Sequence, residues 1–301
     1  MYFGGELGKK RKGLSEKELH VIEKIESGAV EKTYIKVSEN YDIISVDIID
    51  IHINQIPIVI QELKFLERLT IKEKNLKKLP ESIGNLSYLT ELTIYESSIE
   101  KLPDSIKNLK NLTDLTIGNS KLKDFPPEIC ELKNLQILTL DKNQIKEIKE
   151  CIILLKNLES LIIRENKLIS IPNLFNNLNN LISINLSNNQ ITEIPNSICN
   201  LDKLKRLQLN YNKIRQLPEN LGKLKNLLEL SLKNNSIENL PESFTDLKQL
   251  SGLDLSNNRF TEFPEILKRM NLFELDISGN PIDEFPTRLK NIQMKEKGKY
   301  I

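Results

Sequence analysis

The sequence contains no tryptophan, and aromatic residues make up only 5% of its 301 residues. It also has almost no net charge, because 43 Lys and Arg are balanced by 42 Asp and Glu. Proteins that bind nucleic acid commonly use aromatic stacking surfaces and a strong positive field. We therefore expect a chain that binds neither nucleic acid nor an anionic membrane surface.

Long apolar segments are missing as well. No apolar run approaches the roughly 20 residues that cross a bilayer, and the basic start has no apolar core behind it like that of a signal peptide. The three cysteines, Cys130, Cys151 and Cys199, are odd in number and far apart, which is more typical of reduced thiols than of a disulfide framework. These features predict a cytoplasmic protein with no membrane segment.

Residues with catalytic or metal-binding chemistry are scarce. The two histidines, His20 and His52, have no cysteine at a zinc-ligand spacing and no nucleophile with a credible geometry beside them. The segment Gly-Gly-Glu-Leu-Gly-Lys-Lys is similar to a phosphate loop, but no Ser or Thr follows the lysines and no strand precedes it. We predict that the chain is not an enzyme and that it uses no metal and no cofactor.

An internal repeat of 23 residues dominates what is present. Numbered from the first residue of each copy, positions 4, 6, 11 and 14 are aliphatic or Phe in all copies. Position 15 is Pro in every copy but one, where it is Lys149. The eleven copies open at Ile43, Leu66, Leu89, Leu112, Leu135, Leu158, Leu181, Leu204, Leu227, Leu250 and Leu272.

The pattern of each copy predicts one short strand and one return segment. Positions 4 and 6 alternate with polar neighbours, so side chains such as Leu207 and Leu209 face inward from a strand. Positions 11 and 14 turn the chain back over that core, and the proline at position 15 ends backbone hydrogen bonding. One copy cannot bury its own apolar face, whereas stacked copies share a continuous core.

The form L-x-x-L-x-L-x-x-N-x-I-x-x-L-P, repeated over residues 43–286, resembles the leucine-rich-repeat family. The Leu-Pro variant is most similar to bacterial and archaeal repeat proteins and to the intracellular Ras-scaffold type. The resemblance implies an α/β repeat fold, a right-handed curved solenoid whose concave side is a parallel β-sheet. It also implies an Asn at position 9 that satisfies backbone groups. The first four copies instead carry Ile51, Lys74, Ser97 and Ser120, so we expect looser or altered turns in the first two copies.

The ends of the solenoid require caps. Ser15 and Glu18 form a capping box ahead of a helix, and Tyr34–Val37 and Ile43–Ile48 predict a β-hairpin. We divide the chain into a flexible basic tail (1–13), an N-terminal cap of helix and hairpin strand (14–42), eleven repeats (43–286) and a C-terminal cap and tail (287–301). Leu289, Ile292 and Met294 predict a short closing helix.

Repeat positions 3, 5, 7 and 8 point outward from the concave sheet and are the candidate binding surface. Position 5 carries a row of Thr, for which β-propensity is sufficient explanation. Ile137 and Ile162 lie on adjacent strands and are expected to touch, while Asp254, Glu274 and Asp276 make the C-terminal copies acidic. The predicted partner-binding residues are Tyr95, Asp114, Ile137, Asp141, Ile162, Arg164, Arg206, Gln208, Tyr211 and Lys233.

An extended surface without chemistry predicts a non-catalytic scaffold or adaptor that binds a protein partner on the concave face. By resemblance to the Ras-scaffold type, the partner is a small GTPase or a phosphatase. We expect a monomer. The alternative is a host-interaction or surface protein that recognises a ligand outside the cell, which a cleaved leader or disulfide-bonded caps would favour.

Overall fold

A computed structural model describes residues 14–26, 34–37, 42–50, 52–284, 293–296 and 299–300. The predicted basic tail, residues 1–13, lies outside this part of the chain, as do Leu289 and Ile292. The chain divides into two compact units, residues 1–144 and residues 145–301.

The first unit opens with helix α1 (Glu16–Glu26) and continues as a sheet of six strands. Strand β1 runs antiparallel to β2, and β2 to β6 are parallel to one another in chain order. The strands are β1 (Tyr34–Val37), β2 (Ile43–Ile49), β3 (Arg68–Lys72), β4 (Glu91–Tyr95), β5 (Asp114–Gly118) and β6 (Ile137–Thr139).

The predicted N-terminal helix and hairpin are confirmed. The Ser15 N–H donates to Glu18 Oε2 at 3.0 Å, and the Glu18 N–H donates to Ser15 Oγ at 3.3 Å, which is the reciprocal capping box. Glu18 Oε1 also accepts the Ile43 N–H at 3.1 Å, so the helix is tied to the first repeat strand. Val21, Ile22 and Ile25 are buried, as a cap over an open apolar end requires.

The second unit contains eight strands. Strands β7 to β13 are parallel in chain order, and β14 returns antiparallel to β13. They are β7 (Ser160–Ile162), β8 (Ser183–Asn185), β9 (Arg206–Gln208), β10 (Glu229–Ser231), β11 (Gly252–Asp254), β12 (Glu274–Asp276), β13 (Gln293–Glu296) and β14 (Lys299–Tyr300).

The closing helix predicted over Leu289, Ile292 and Met294 is wrong at Met294, the one of the three residues that the structure describes. Met294 lies in β13, where it is aligned with Leu275 of β12, so the parallel ladder continues one strand beyond the last recognisable copy. The helical spacing of three apolar residues was a weak signal, because a free sheet edge offers backbone hydrogen bonds to any short segment that can reach it.

Each described copy returns through a 3-10 turn rather than a longer helix. Position 15, usually Pro, precedes most of these turns with an extended backbone, and the apolar residue at position 18 is buried. The turns are Ile58–Glu62, Glu81–Asn85, Asp104–Asn108, Pro127–Glu131, Glu150–Leu154, Phe175–Asn177, Asn196–Asn200, Leu221–Lys223, Glu242–Asp246 and Glu265–Arg269. The irregular copy at Lys149 keeps the same turn as its neighbours.

The core of each unit is filled by framework positions 4, 6, 11 and 14, whose side chains are almost all buried in the described copies. Phe125, Phe175, Phe244 and Phe260 are the largest of the fully buried side chains. Because the interior is packed with side chains, function has to reside on the outside of the repeats. No helix within the described residues has the length and apolar character to cross a membrane.

In the copies that carry it, the asparagine at position 9 holds the turn that follows the strand. The Leu168 N–H donates to Asn189 Oδ1 at 3.0 Å, and Asn189 Nδ2 donates to the carbonyl oxygens of Ile163, Leu186 and Ser187. Asn212, Asn235 and Asn258 repeat this arrangement. One buried amide therefore satisfies backbone groups in two neighbouring copies.

The turns of the first two copies are altered, as predicted, and the replacement is specific. Glu73 is only 1% exposed, and its carboxylate accepts the N–H of His52 at 2.7 Å and of Asn75 at 3.0 Å. The third and fourth copies, for which no altered turn was predicted, are also different: Ser97 Oγ and Ser120 Oγ lie 2.7 Å apart and are both buried. A carboxylate and a serine pair thus occupy the place of the missing amides.

Candidate functional site

The outward side chains at positions 3, 5, 7 and 8 form a surface that we call the sheet face. In the first unit the strands are in register, so equal positions lie side by side in rows. Position 5 gives a continuous row of half-buried hydroxyl side chains that crosses four strands: Thr70, Thr93, Thr116 and Thr139.

Tyr95 stands at the most distinctive point of the first unit's sheet face. It is aligned with Lys72 on one side and with Gly118 on the other. A Cβ added at Gly118 would meet only the Asp141 carbonyl oxygen, at 3.9 Å, so there is open space beside the half-buried Tyr95 ring. The sequence patterns drew attention to Tyr95, but the hollow at Gly118 requires the register of β4 and β5.

Lys72 bridges two acidic side chains at this end of the sheet face. Its Nζ lies 3.2 Å from Asp50 Oδ2 and 3.6 Å from Glu96 Oε2. The hydrogen bond to Asp50 and the charges of both carboxylates raise the pKa of Lys72 above its ordinary value. The Lys72 ammonium group, on the strand next to that of Tyr95, is therefore paired with two carboxylates.

The other predicted residues of the first unit differ in accessibility. Ile137 is 39% exposed and is aligned with Asp114, whose carboxylate accepts a hydrogen bond from Thr113 Oγ1 at 2.6 Å. Asp141 was expected to point outward, yet it is only 8% exposed. Its place on the strand side of the turn leaves little of its surface for a partner.

In the second unit, the predicted site residue Tyr211 is exposed over 49% of its surface. It sits at position 8 with a positive φ of 54°, a conformation that directs the side chain away from the turn. Arg206 and Arg164 are also exposed, and Arg206 is aligned with Ser183 and Glu229. These side chains give the middle copies an aromatic and cationic surface.

The remaining predicted residues of this unit belong to a polar ladder. Half-buried Ile162 is aligned with Asn185, whose Nδ2 donates to Gln208 Oε1 at 2.6 Å. The backbone N–H of Lys233 donates to Asn210 Oδ1 at 3.0 Å. The hydrogen bond from Asn185 holds Gln208 in place. Ile162 is the apolar member of the position 5 row in this unit. The predicted contact of Ile162 with Ile137 stays a prediction.

Carboxylates gather toward the C-terminal strands of the second unit. Asp254 Oδ1 accepts the N–H and Oγ–H of Ser256, and Asp276 Oδ1 does the same with Ser278. Glu229 and Glu274 flank Gly252 on the neighbouring strands. Glu229 was missed by the sequence analysis, although position 3 identifies it as outward.

Thiol chemistry differs among the three cysteines. Cys199 is a free, buried thiol, and burial raises its pKa to about 11. Cys130 and Cys151 are each disulfide-bonded, so the expectation of three reduced thiols is wrong for these two residues. The described residues contain no group of three or more His, Cys, Asp or Glu side chains placed to hold a metal ion.

The fold and the sheet face define a repeat-built solenoid with a filled core and an extended polar surface. The chain matches the family described as leucine-rich repeat region over residues 45–124 and 188–293, and the family described as leucine rich repeat over residues 110–168 and 156–214. It therefore belongs to the leucine-rich-repeat family, as its sequence pattern implied.

Solved structures show the same fold. A leucine-rich-repeat protein of Leptospira interrogans is 34% identical, with a TM-score of 0.77, over 80% of this chain and 63% of its own. The plant peptide hormone receptor RGFR1, solved in complex with RGF2, is 26% identical, with a TM-score of 0.64, over 80% of this chain and 42% of its own. An internalin of Listeria monocytogenes shares the fold at 20% identity, with a TM-score of 0.62 and 94% coverage of both chains. The chain spans less than two thirds of the first two structures. The comparison with curated proteins gives no match.

Proposed function

We propose that this chain is a non-catalytic scaffold or adaptor that binds a partner protein through its sheet face. The observation that carries the proposal is Tyr211, an aromatic side chain half exposed at a rigid turn on that face. An exposed tyrosine and exposed arginines on one face have the composition of an interaction hot spot. Leucine-rich-repeat domains are generally protein-interaction modules, which supports the same conclusion.

The surface favours a folded protein or a helix as partner over a small molecule. The predicted contact residues are spread along both units, and their flanking side chains are held by hydrogen bonds in a shallow polar ladder. Small ligands are normally bound in an enclosed cavity, whereas the described part of this face is an open ladder of side chains. By analogy with the Ras-scaffold type, a small GTPase or a phosphatase is the partner class that we propose.

The test is a pull-down from native lysate with variants that introduce a negative charge on the sheet face. Tyr95→Asp, Ile137→Asp, Ile162→Asp and Tyr211→Asp are each expected to remove the captured partner, because a buried carboxylate at an apolar contact is strongly unfavourable. Tyr88→Asp and Ile169→Asp are matched controls, since these side chains are 54% and 59% exposed but lie outside the sheet face. A partner that survives all four sheet-face changes would show that this surface does not bind it.

A second candidate function is recognition of a ligand outside the cell. The disulfide-bonded state of Cys130 and Cys151 favours it, because disulfides persist in oxidising compartments. The similarity to a plant peptide hormone receptor supports it as well. The cytoplasmic location expected from the sequence stays a proposal, and the disulfide-bonded state of Cys130 and Cys151 opposes it. We also propose that the protein is a monomer.

Thiol counting separates the two candidates. Protein purified without reductant and unfolded in the presence of an alkylating agent should incorporate one label, on Cys199, if the other two cysteines are oxidised in their native compartment. Incorporation of three labels would favour a reducing cytoplasm. Cell fractionation on the same sample identifies the compartment directly.

A further inference from the structure

The first unit carries a groove along the corner where each copy turns from position 14 into position 15. Its volume is about 530 Å³, and it crosses three consecutive copies. Its lining includes the almost fully buried Leu79, Leu102 and Phe125, together with prolines. Because proline has no N–H to offer, half-buried Pro103 and exposed Pro127 present an apolar ledge, whereas Pro126 is buried.

A second hollow of about 460 Å³ extends the groove toward the N-terminal copies. It shares Lys78, Leu79 and Glu81 with the first hollow and adds Ile58, which is 66% exposed. Position 16, occupied here by Ile58, is Glu81 and Asp104 in the next two copies. We call the two hollows together the corner groove. Ile58 gives it an apolar end that neighbouring copies lack.

The rim of the corner groove is strongly acidic. Five carboxylates surround the main hollow, compared with two ammonium groups, from Lys78 and Lys101. Glu100 forms an ion pair with Lys123, whose Nζ donates to Glu100 Oε2 at 2.7 Å; this contact lowers the pKa of Glu100 and offsets part of its charge. The carboxylates are those of Glu81, Glu100, Asp104, Asp124 and Glu128.

The equivalent corner of the second unit does not share this composition. A hollow of about 440 Å³ lies there against Leu217, Leu240 and Pro241. Its charged lining is Arg215 with Glu219 and Glu238, so the charges are nearly balanced. The acidic character is therefore a property of the first unit's corner and not of every turn in the repeat.

We propose that the corner groove docks an extended segment of a partner protein in which basic and apolar side chains alternate. The apolar side chains rest on Ile58 and the proline ledge, and the basic side chains face the carboxylates of the rim. The hollows reach across four copies spaced roughly 4.8 Å apart, so a strand-like segment of about five residues spans them. This surface is distinct from the sheet face, and the proposal does not depend on the sheet face binding anything.

The experiment measures fluorescence anisotropy of the full chain with a labelled, end-blocked peptide of sequence Arg-Leu-Arg-Leu-Arg-Leu. Combining Glu81→Gln, Asp104→Asn and Glu128→Gln removes three rim charges. In the first of these substitutions, Gln retains an acceptor for the Ser105 N–H that Glu81 Oε2 binds at 3.1 Å. We expect the three substitutions to lower the affinity for the peptide about tenfold. Raising the salt concentration should also lower the affinity of the unmodified protein for the peptide.

Matched controls remove the same charge elsewhere. The combination of Glu219→Gln, Glu238→Gln and Glu262→Gln, all exposed in the second unit, should change affinity by less than about twofold. Ile58→Ser should weaken binding, whereas Ile169→Ser, at a side chain of similar exposure, should not. Thermal unfolding of each variant checks that it is folded.

Three results would overturn the proposal. They are undetectable binding of the basic peptide, equal losses in the groove and control variants, and equal binding of an end-blocked Glu-Leu-Glu-Leu-Glu-Leu peptide. Tyr211→Asp distinguishes the two surfaces, because it should abolish capture of the sheet-face partner and leave the peptide affinity unchanged. If Tyr211→Asp alone abolishes peptide binding, the peptide sits on the sheet face and the corner groove is empty.

Discussion

The turns of the second unit and those of the early copies in the first unit solve the same hydrogen-bonding problem with different side chains. In the second unit, amides such as Asn189 and Asn212 each bond to backbone groups of two copies, and Asn143 does the same in the last copy of the first unit. In the earlier copies of the first unit, Glu73 accepts two N–H groups, and Ser97 pairs with Ser120. An amide both donates and accepts, whereas an ionised carboxylate can only accept. The two solutions should therefore differ in how much stability one substitution removes.

The difference teaches that the repeat constrains the backbone more strongly than it constrains any one side chain. Non-glycine residues adopt positive φ at position 8 in copies of both units, among them Glu96 (50°) and Asn188 (58°). In the altered second copy, position 8 is Glu73, which has no positive φ and turns its carboxylate inward instead. The strand keeps its backbone path, although the side chain that bonds to the backbone of the turn is at position 8 in this copy and at position 9 in the copies with asparagine.

The largest effect is expected for the amide of the second unit. Asn189→Ala removes an acceptor for the Leu168 N–H and three donations to carbonyl oxygens, all in a buried turn. Each buried backbone group left unsatisfied costs about 1–3 kcal/mol, so we expect the free energy of unfolding to fall by about 3–5 kcal/mol. Urea unfolding followed by circular dichroism measures it. The exposed Asn179→Ala is the control, and equal losses for the two would contradict the assigned role.

A smaller loss is expected for the carboxylate of the first unit. Glu73→Ala leaves the N–H groups of His52 and Asn75 without their acceptor, and we expect about 2–3 kcal/mol of destabilisation. Glu73→Gln retains one acceptor oxygen and should lose roughly half as much. Hydrogen exchange at His52 and Asn75 localises the effect, because only these amides should lose protection. If alanine and glutamine are equivalent, acceptance by Glu73 is not what holds the turn.

The serine pair should contribute least among the three turn devices. Ser97→Ala and Ser120→Ala each break the 2.7 Å contact between their hydroxyl oxygens. A neutral hydrogen bond contributes about 0.5–1.5 kcal/mol, so the coupling energy in a double-mutant cycle should fall in this range. Additive losses would mean that the two hydroxyls act independently and that the serine pair does not replace the asparagine of position 9.

Sequence alone was sufficient for the parts of the molecule that depend on periodicity. The strands, their inward rows and the capping box of Ser15 and Glu18 follow from local spacing, which the physics of stacking makes regular. The inward position of Glu73 could not be predicted, because a charged residue at an outward slot is normally solvated. The burial of Asp141 and the hollow at Gly118 depend on neighbouring strands and could not be predicted either. The same holds for the exposure of any single outward side chain.

The Lys72 bridge tests whether charges at the outward turns of the first unit contribute to its stability. Lys72 Nζ contacts the carboxylates of Asp50 and Glu96, two residues with positive φ. All three side chains are accessible to solvent, with exposed fractions of 26%, 40% and 50%. Lys72→Met should therefore shift the urea midpoint less than the substitutions of Asn189, Glu73, Ser97 and Ser120. Because the pKa of Lys72 is raised in the folded chain, its contribution is fully present below the ordinary lysine pKa and is lost as pH rises through the folded value. The difference between wild type and Lys72→Met should therefore be constant from neutral pH to about pH 10, disappear at higher pH, and shrink when salt is added at pH 7. A difference that persists above pH 12 would mean that Lys72 acts through the packing of its aliphatic stem beside Tyr95 rather than through its charge.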